Sequence, residues 1–487
     1  MGSEQRRPNV LLITADEMRH DCLGVAGHPL VRTPHLDALA ARGVRFTNAY
    51  TPYPVCVPAR LSIMSGQYAH AHGAMGNGSM IPPGQPTIAS LVRDAGYRTA
   101  AFGKMHFWPP RTAMGFQHMR LAEQAGAGWK VDEYHSDYLA QRGLVDEWDR
   151  WDQHQPYRDQ APAEYWESFG ARPSALPEEH YHTTWIAEET IRWLKEQAYD
   201  RPFFAWTSFI KPHHPFDPPR PWDTLYDPAT VPPLGDPTEA LAKPLMTAGG
   251  RRDPRRAFFD LRQFSEEAFA RVAAYYYATI SHIDHHVGRM LATLQELGRL
   301  ENTLVVFASD HGDYMGDYGL ILKSPSVPYD ALARVPLIVA GPGCRAGAVC
   351  DALVSLVDLL PTVAAAGGTP LPPFVQGQDL APLLADSQVS DGAKAWRDAV
   401  FSETREIKAV RTEQYKYLYN SRLGIEELYD LQADPGERRD LATDPANAPR
   451  ILELRRRLLD WLIETEWDRH PVSGGYSDLV HRSWVRS

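Results

Sequence analysis

Continuous apolar runs that are too short for helices recur along the chain and constrain its fold more than any other feature. Asn9–Ala15 (NVLLITA), Thr303–Ala308 (TLVVFA) and Val335–Ala340 (VPLIVA) are the clearest, and Tyr97–Phe102 is a shorter candidate. Runs of this kind are typical of parallel strands that are covered on both faces. Helical patterns separate them, so the sequence predicts an α/β fold with a large, mostly parallel sheet flanked by helices.

The predicted helices have recognisable ends. Pro34–Ala41 has proline in its first turn, and Thr87–Ala95 begins with a threonine that is suited to the N-cap. A long helical pattern covers residues 266 to about 297. Asp351–Ala366 is predicted to be a helix that Pro361 interrupts.

The pattern changes near Ala399 to short strands with turn signals, which end in Glu427–Leu431, and an amphipathic helix is predicted over about Pro449–Trp467. We therefore expect two units: an α/β domain over residues 8–390, and a smaller C-terminal α+β subdomain with a small antiparallel sheet and a helix over residues 396–487. A chain of 487 residues is long enough for both.

Between residues 121 and 182 the periodicity disappears and aromatic residues accumulate. Four tryptophans lie in this stretch: Trp129, Trp148, Trp151 and Trp166. Long loops of this type are often lids or pocket walls, and a lineage-specific decoration is the alternative interpretation.

The charge of the chain argues against two classes of function. The formal net charge is −11, whereas a general nucleic-acid or membrane-surface binder needs a basic face. No apolar run approaches the length of a membrane span, and no signal peptide is visible at the start. We therefore expect a cytoplasmic protein with no nucleic-acid partner and no membrane partner, and a homo-oligomer is left open.

Two of the predicted strands end in residues that bind metal ions. Asp16 and Glu17 follow the first apolar run, and Asp310 and His311 follow the run that ends at residue 308. Ligands of open α/β sheets bind beyond the carboxyl ends of the strands. Carboxylates and an imidazole that meet there would form a single site for a divalent metal ion.

Four cysteines are too few for a disulfide scaffold, and Cys56 has the most informative surroundings. It begins a helix-like segment in the pattern Cys-x-Pro-x-Arg, together with Pro58 and Arg60. The positive end of a helix dipole favours an anionic nucleophile or a bound anion. A plain thiolate with a histidine base, as in a thiol protease, is an alternative, but it leaves the acidic strand ends unexplained.

The Cys-x-Pro-x-Arg pattern resembles the signature of the formylglycine-dependent sulfatase family, which has an alkaline phosphatase-like fold. Further family motifs follow in order: Gly103–His106 (GKMH), Lys211–Pro215 (KPHHP), and Ser309–Gly319 (SDHGDYMGDYG) with Lys323 after it. The resemblance runs from Asn9 to about Leu441 and is nearest to the choline-sulfatase and phosphonate monoester hydrolase branch.

The resemblance implies a sulfuric ester hydrolase whose nucleophile is formylglycine, made from Cys56 by a separate formylglycine-generating enzyme. It also implies one divalent metal ion with these ligands: Asp16, Glu17, Asp310, His311 and the modified residue 56. The family default is Ca²⁺. His311 stands where many sulfatases have asparagine, and an imidazole also admits Mn²⁺ or Zn²⁺.

The implied reaction is the hydrolysis of small aryl or alkyl sulfate monoesters in two steps. One hydroxyl of hydrated formylglycine attacks sulfur, and deprotonation of the other, with His106 as base, releases sulfate. Arg60 would position the modified residue, and Lys104 and Lys323 would hold sulfate oxygens. His213 would protonate the leaving oxygen or bind the sulfate.

Several alternatives stay open. A phosphonate monoester or phosphodiester hydrolase fits the same fold and the same Asp-His metal pair, but that branch typically has hydroxyl side chains where this chain has Lys104 and His106. A catalytically silent binding protein is a second alternative, although every expected polar group is present. Asn77 resembles a substrate-contacting asparagine of the nearest branch, and a plain Gly-Asn-Gly turn is the other interpretation.

A further histidine cluster is set aside as a packed or solvated helix face. His282 and His286, in the sequence SHIDHH, have the i,i+4 spacing of a helical zinc pair. Ile283, however, replaces the glutamate of a metalloprotease motif.

Overall fold

The computed structural model describes residues 7–124, 134–153, 158–385 and 396–466. Its strands are β1 Asn9–Asp16, β2 Gly43–Tyr50, β3 Arg98–Gly103, β4 His118–Leu121, β5 Phe203–Pro212, β6 Thr303–Ser309, β7 Arg334–Ala340, β8 Ala348–Cys350, β9 Val354–Ser355, β10 Ala399–Glu403, β11 Ile407–Thr412, β12 Tyr415–Asn420 and β13 Ile425–Asp430. Trp129 and Trp467, named above, lie outside the described residues.

The helices differ widely in length. The longer ones are Pro34–Ala41, Cys56–Ser65, Ile88–Asp94, His182–Glu196, Glu266–Glu296, Leu359–Ala366 and Ala448–Glu466. The shorter ones are Ala69–His72, Tyr134–Ala140, Glu147–Gln153, Ala163–Glu167, Pro237–Ala242, Pro244–Thr247, Asp330–Ala333 and Ala381–Ala385. None of the described helices is both long enough and apolar enough to cross a lipid bilayer.

Nine of the described strands form one mixed sheet, in the order β4-β3-β5-β1-β6-β7-β2-β8 with β9 paired to β2. The strands from β4 to β6 in this order run parallel. β7 is antiparallel to both of its neighbours, β6 and β2. The mostly parallel sheet confirms the predicted fold class, and the direction of β7 is the exception within it.

Helices cover both faces of the sheet, as the unbroken apolar runs predicted. In β1, Leu11 and Ile13 belong to a core that includes the helix Glu266–Glu296, whereas Val10 and Leu12 belong to a core on the other face. All four β1 side chains are almost completely buried. Each fully buried aliphatic side chain of this size contributes about 1.5–3 kcal/mol relative to an exposed one, so the run stabilises both layers at once.

The C-terminal residues form a second, antiparallel sheet in the order β10-β11-β12-β13. The helix Ala448–Glu466 packs on this sheet through Leu454, Leu458 and Trp461. The predicted strands and the amphipathic helix are therefore confirmed for the described residues. The boundary between the two proposed domains stays a prediction.

The predicted helix over Asp351–Ala366 is wrong in its first half. Val354–Ser355 is strand β9, and the helix begins only at Leu359, after a single 3₁₀ turn. The Asp358 side chain explains the change, because its Oδ2 atom accepts a hydrogen bond from the backbone N–H of Ser355 at 2.8 Å at the start of the helical segment. Pro361 consequently lies in the first helical turn, where proline interrupts nothing.

Candidate active site

Four neighbouring strands bring the predicted catalytic residues to one edge of the sheet. β1 ends at Asp16, and Asp310, Lys104 and His213 directly follow β6, β3 and β5. These strands run parallel in the order β3-β5-β1-β6. Their carboxyl ends therefore meet, and the crevice beyond them is where a ligand of an open α/β sheet binds.

Gly103 makes the approach of β3 possible. It has φ +84°, and a Cβ atom built on it would lie 2.0 Å from the carbonyl oxygen of Ser208 on β5. Any larger residue would force the two strands apart directly before Lys104. The glycine of the GKMH motif is thus a requirement of the backbone.

The helix Cys56–Ser65 starts at the same crevice. Cys56 is its first residue, and only 1 % of the side chain is exposed. The Asn77 side chain, which is otherwise exposed, accepts a hydrogen bond from the backbone N–H of Val57 at 3.2 Å. Asn77 therefore lies beside the nucleophile position and satisfies one of the free N–H groups of this helix. Its contact with a substrate stays a prediction.

Four side chains form a pocket that fits one divalent cation. Asp16, Cys56, Asp310 and His311 each place one donor atom within 4.8 Å of all the others. The Cys56 Sγ atom lies 3.5 Å from Asp16 Oδ1 and 3.2 Å from His311 Nε2. The Nδ1–H group of His311 donates to the Gly312 carbonyl at 2.8 Å, which leaves the Nε2 lone pair free for a metal ion.

Arg60 holds the two carboxylates of this pocket in place. Its Nε atom donates to Asp310 Oδ2 at 2.8 Å, and its Nη2 atom lies 3.4 Å from Asp16 Oδ2. Its Nη1 atom donates to Ser208 Oγ at 2.7 Å and to the carbonyl of Lys104. Arg60 is completely buried, so its positive charge is held beside the Asp16 and Asp310 carboxylates and offsets their negative charge.

Glu17 stands next to this group of donors and is not part of it. Its Oε2 atom accepts from Lys323 Nζ at 2.8 Å and lies 3.5 Å from His213 Nε2. Its Oε1 atom is buried and has no hydrogen-bond partner among the described residues. Burial raises the pKa of Glu17 to about 7, although Lys323 opposes this effect. Metal binding by Glu17 stays a prediction, for which the free Oε1 atom is available.

Lys104 also reaches the pocket. Its Nζ atom lies 2.6 Å from Asp16 Oδ2 and donates to Gln124 Oε1 at 3.1 Å. Burial acts to raise the pKa of Asp16, but the charges of Lys104 and Arg60 hold this pKa well below its usual range. Asp16 is thus an anion, and Lys104 is a cation that is already positioned beside it.

His106 lies in the segment that follows β3, and its role as a general base stays a prediction. Its Nδ1 atom is buried without a hydrogen-bond partner among the described residues. Burial, together with the charges of Lys104 and Arg60, holds the pKa of His106 well below its usual range. The imidazole is therefore neutral, which is the form that accepts a proton.

The Cys56 thiol is a poor nucleophile in its unmodified form. Burial and the Asp16 carboxylate raise the pKa of the thiol to about 12. A thiolate beside two carboxylates is disfavoured by like charge, despite the helix N-terminus. These surroundings argue against the thiol-protease alternative and favour a chemically modified residue 56.

Sequence reasoning missed the two residues that support Lys104 and His106. Glu123 accepts hydrogen bonds from the backbone N–H groups of Met105 and His106, and Gln124 accepts from Lys104. Both residues follow β4, the edge strand of the sheet. Recognition of that short strand would have placed them at the same edge as the other site residues.

Gln124 is expected to matter for turnover because it joins Lys104 to Asp149, in the stretch of residues 121–182 where aromatic residues accumulate, called the aromatic region below. Its Nε2 group donates to the His214 carbonyl at 3.0 Å and to Asp149 Oδ1 at 3.2 Å. Gln124→Met keeps the shape but removes these bonds, each worth about 1–3 kcal/mol when a buried partner is left unsatisfied. We expect kcat to fall about tenfold or more with a smaller change in KM, and the exposed Gln141→Met to have no effect. Equal losses in both variants would exclude a positioning role.

The fold and the site define a metal-dependent hydrolase of anionic esters. The Sulfatase family model matches residues 8–369, and the model described as N-sulphoglucosamine sulphohydrolase, C-terminal, matches residues 316–464. This chain belongs to the sulfatase family and is a sulfuric ester hydrolase.

Known proteins resemble the chain over nearly its whole length. It is 32 % identical to an arylsulfatase of Clostridium perfringens, with 93 % of this chain and 94 % of the relative covered. It is 30 % identical to a choline-sulfatase of Rhizobium meliloti, with 98 % of this chain and 90 % of the relative covered. The solved structure of a phosphonate monoester hydrolase of Agrobacterium radiobacter has a TM-score of 0.78 at 27 % identity, with 96 % of this chain and 97 % of that chain covered.

Proposed function

We propose that this protein hydrolyses sulfate monoesters of small aryl or alkyl alcohols, with a formylglycine made from Cys56 and with one divalent metal ion. One observation carries the proposal: the Cys56 Sγ atom is a member of the group of donors formed by Asp16, Asp310 and His311. A nucleophile derived from residue 56 is therefore held where a cation would both bind and activate it.

The cation would be held by Asp16, Asp310, His311 and the modified residue 56, with Glu17 next to them. A divalent ion in such a site supplies Lewis acidity and lowers the pKa of a bound hydroxyl group. The carboxylate-rich donor set is compatible with Ca²⁺, and the imidazole also with Mn²⁺ or Zn²⁺. Arg60 keeps both carboxylates oriented toward the ion.

The basic side chains around the pocket suit a sulfate ester. Lys104 and Lys323 are paired with Asp16 and Glu17 respectively, and would bind the non-bridging oxygens of the substrate. The Nδ1–H group of His213 donates to the His214 carbonyl at 2.6 Å, so that its Nε2 atom faces the site. His213 would bind the sulfate or protonate the leaving oxygen, and His106 would accept a proton from the modified residue.

Two partners follow from the proposal. A formylglycine-generating enzyme has to modify Cys56, which is buried in the folded chain, so modification would precede or accompany folding. The other partner is the small-molecule ester. The choline-sulfatase relative suggests a quaternary ammonium alcohol, which aromatic side chains bind well by cation–π contact.

A second candidate function is the hydrolysis of phosphonate monoesters, because the structural likeness to the Agrobacterium radiobacter enzyme covers almost the whole of both chains. Lys104 and His106 favour sulfate over this alternative. On protein that carries modified residue 56 and metal, kcat/KM for an aryl sulfate should exceed kcat/KM for the matching phenylphosphonate monoester. The reverse preference would assign the protein to the phosphonate monoester hydrolases.

Lys104→Ala tests the proposed sulfate contact. Charge builds on the oxygens in the transition state, so a fixed cation stabilises the transition state more than the bound substrate. We expect kcat for an aryl sulfate to fall by about a hundredfold or more, with a smaller change in KM. The exposed Lys195→Ala is the matched control and should be unaffected. Metal content is measured in the same samples, and a rise in KM alone would contradict the proposed role.

A further inference from the structure

Four polar side-chain atoms converge at a place separate from the active site, beside the helix Glu266–Glu296. His282 and His286 lie one turn apart on this helix, and their Nε2 atoms are 3.0 Å from each other. Glu178 Oε1 lies 3.5 Å from the Nε2 atom of His282. Thr184 Oγ1 lies 3.4 Å from the Nε2 atom of His282 and 3.1 Å from that of His286.

We propose that Glu178, His282 and His286 bind a second metal ion, Zn²⁺, with the Thr184 hydroxyl or a water molecule as the fourth donor. Tetrahedral Zn²⁺ with ligands at about 2.0–2.1 Å places neighbouring donor atoms about 3.3 Å apart. The four distances given above, from 3.0 to 3.5 Å, fit this arrangement, and the ligand atoms of Glu178 and His286 lie within 4.8 Å of each other.

The surroundings suit an ion better than a closed hydrogen-bond cluster. Both histidines are almost completely buried, and a single proton can be shared between their facing Nε2 atoms. The Nδ1 atom of His282 has no hydrogen-bond partner among the described residues. The Glu178 side chain is 34 % exposed, which provides a route for the ion from solvent. Trp222 Nε1 donates to Glu178 Oε1 at 3.0 Å and orients the carboxylate.

Arg289 competes with the metal ion. Its Nη1 atom lies 3.2 Å from His286 Nδ1, which favours a proton on Nε2, whereas metal binding at Nε2 requires the proton on Nδ1. The Arg289 side chain is 38 % exposed and forms an ion pair with Glu188 at 2.5 Å. It can therefore withdraw from His286 while it keeps Glu188, and the cost of this movement lowers the affinity of the site.

The position of the cluster assigns the ion a structural role. Two residues after Glu178, the His180 carbonyl accepts from His135 Nε2 at 2.9 Å, and His180 Nδ1 lies 2.8 Å from the Tyr138 hydroxyl. His135 and Tyr138 belong to the helix Tyr134–Ala140, in the aromatic region. Zn²⁺ would thus link the aromatic region to the helix Glu266–Glu296, which packs on the main sheet.

The test uses the full chain with its catalytic pocket disabled by Asp310→Asn and all metal removed by a chelator. Zn²⁺ is titrated in competition with a chromophoric chelator. We expect one equivalent to bind in this background, and none after the further change His282→Asn or His286→Asn. His285→Asn is the control, because His285 is on the same helix but is exposed and outside the group. Zinc uptake that is insensitive to His282 and His286, or no uptake at all, would overturn the proposal.

A second measurement does not depend on the folding of the Asp310 variant. Zn²⁺ should raise the Tm of protein with an intact Asp310. The shift should be smaller in His286→Asn than in wild type, whereas His285→Asn should show the wild-type shift. Turnover of an aryl sulfate by His286→Asn should persist. The readout is independent of the proposed function, since loss of the zinc-dependent Tm shift and loss of esterase activity are measured separately. An equal Tm shift in wild type and His286→Asn would count against the site.

Discussion

Cys56→Ala should abolish sulfate ester hydrolysis, with a fall in kcat/KM of about ten thousandfold or more, because the variant has no nucleophile. The same change removes one of the four donors of the metal pocket, so that the affinity for the cation should also fall. Cys350→Ala is the matched control: it is an equally buried cysteine at a distance from the crevice and should retain turnover. Activity is measured on a chromogenic aryl sulfate.

The chemical state of residue 56 decides between the modified nucleophile and a plain thiol. Co-expression with a formylglycine-generating enzyme should raise the specific activity, and peptide mass spectrometry should show an aldehyde at position 56 in active protein. The environment of the thiol explains this expectation, since burial and Asp16 raise its pKa to about 12. Full activity from protein in which residue 56 is entirely an unmodified cysteine would contradict the proposed mechanism.

The sequence predicted that the residues of the proposed metal pocket would lie at one edge of the sheet, because they follow buried strands, and their binding of a metal ion stays a prediction. An unbroken apolar run such as Asn9–Ala15 predicts both a central strand and the place where it ends, so the location of Asp16 at the crevice follows directly. The same reasoning located Asp310 and His311. The direction of β7 could not be predicted in this way, because an apolar run predicts burial and carries no information on strand direction.

Contacts between distant segments are the part that the sequence did not predict. Gln124 supports Lys104, but it lies in a stretch without periodicity, after an edge strand of only four residues. Glu178 and His282 are more than a hundred positions apart and meet only because two segments pack side by side. The sequence of the helix alone therefore favoured a packed face. The Glu178 carboxylate, which makes the two histidines a candidate metal site, lies in another segment and could not be assigned to them from the sequence.

Asp310→Asn should remove the catalytic metal ion and lower kcat by about a thousandfold or more, because an anionic ligand is replaced by a neutral one. The amide keeps the shape of the side chain and can still accept from Arg60, which is completely buried and would lose its 2.8 Å partner in an alanine variant. Removing one partner of a buried ion pair costs about 3–5 kcal/mol of folding stability. A loss of activity in Asp310→Ala could therefore result from unfolding as well as from loss of the metal ion.

The control for this prediction is Asp317→Asn, in the same loop segment, where a partly exposed carboxylate pairs with Arg19 and lies outside the group of donors. Elemental analysis should be made in the His286→Asn background, so that an ion at the proposed zinc site does not add to the count. It should show one equivalent for Asp317→Asn and none for Asp310→Asn, and it identifies the ion as Ca²⁺ or a transition metal. An Asp310→Asn protein that keeps both its metal and its turnover would place the catalytic ion elsewhere.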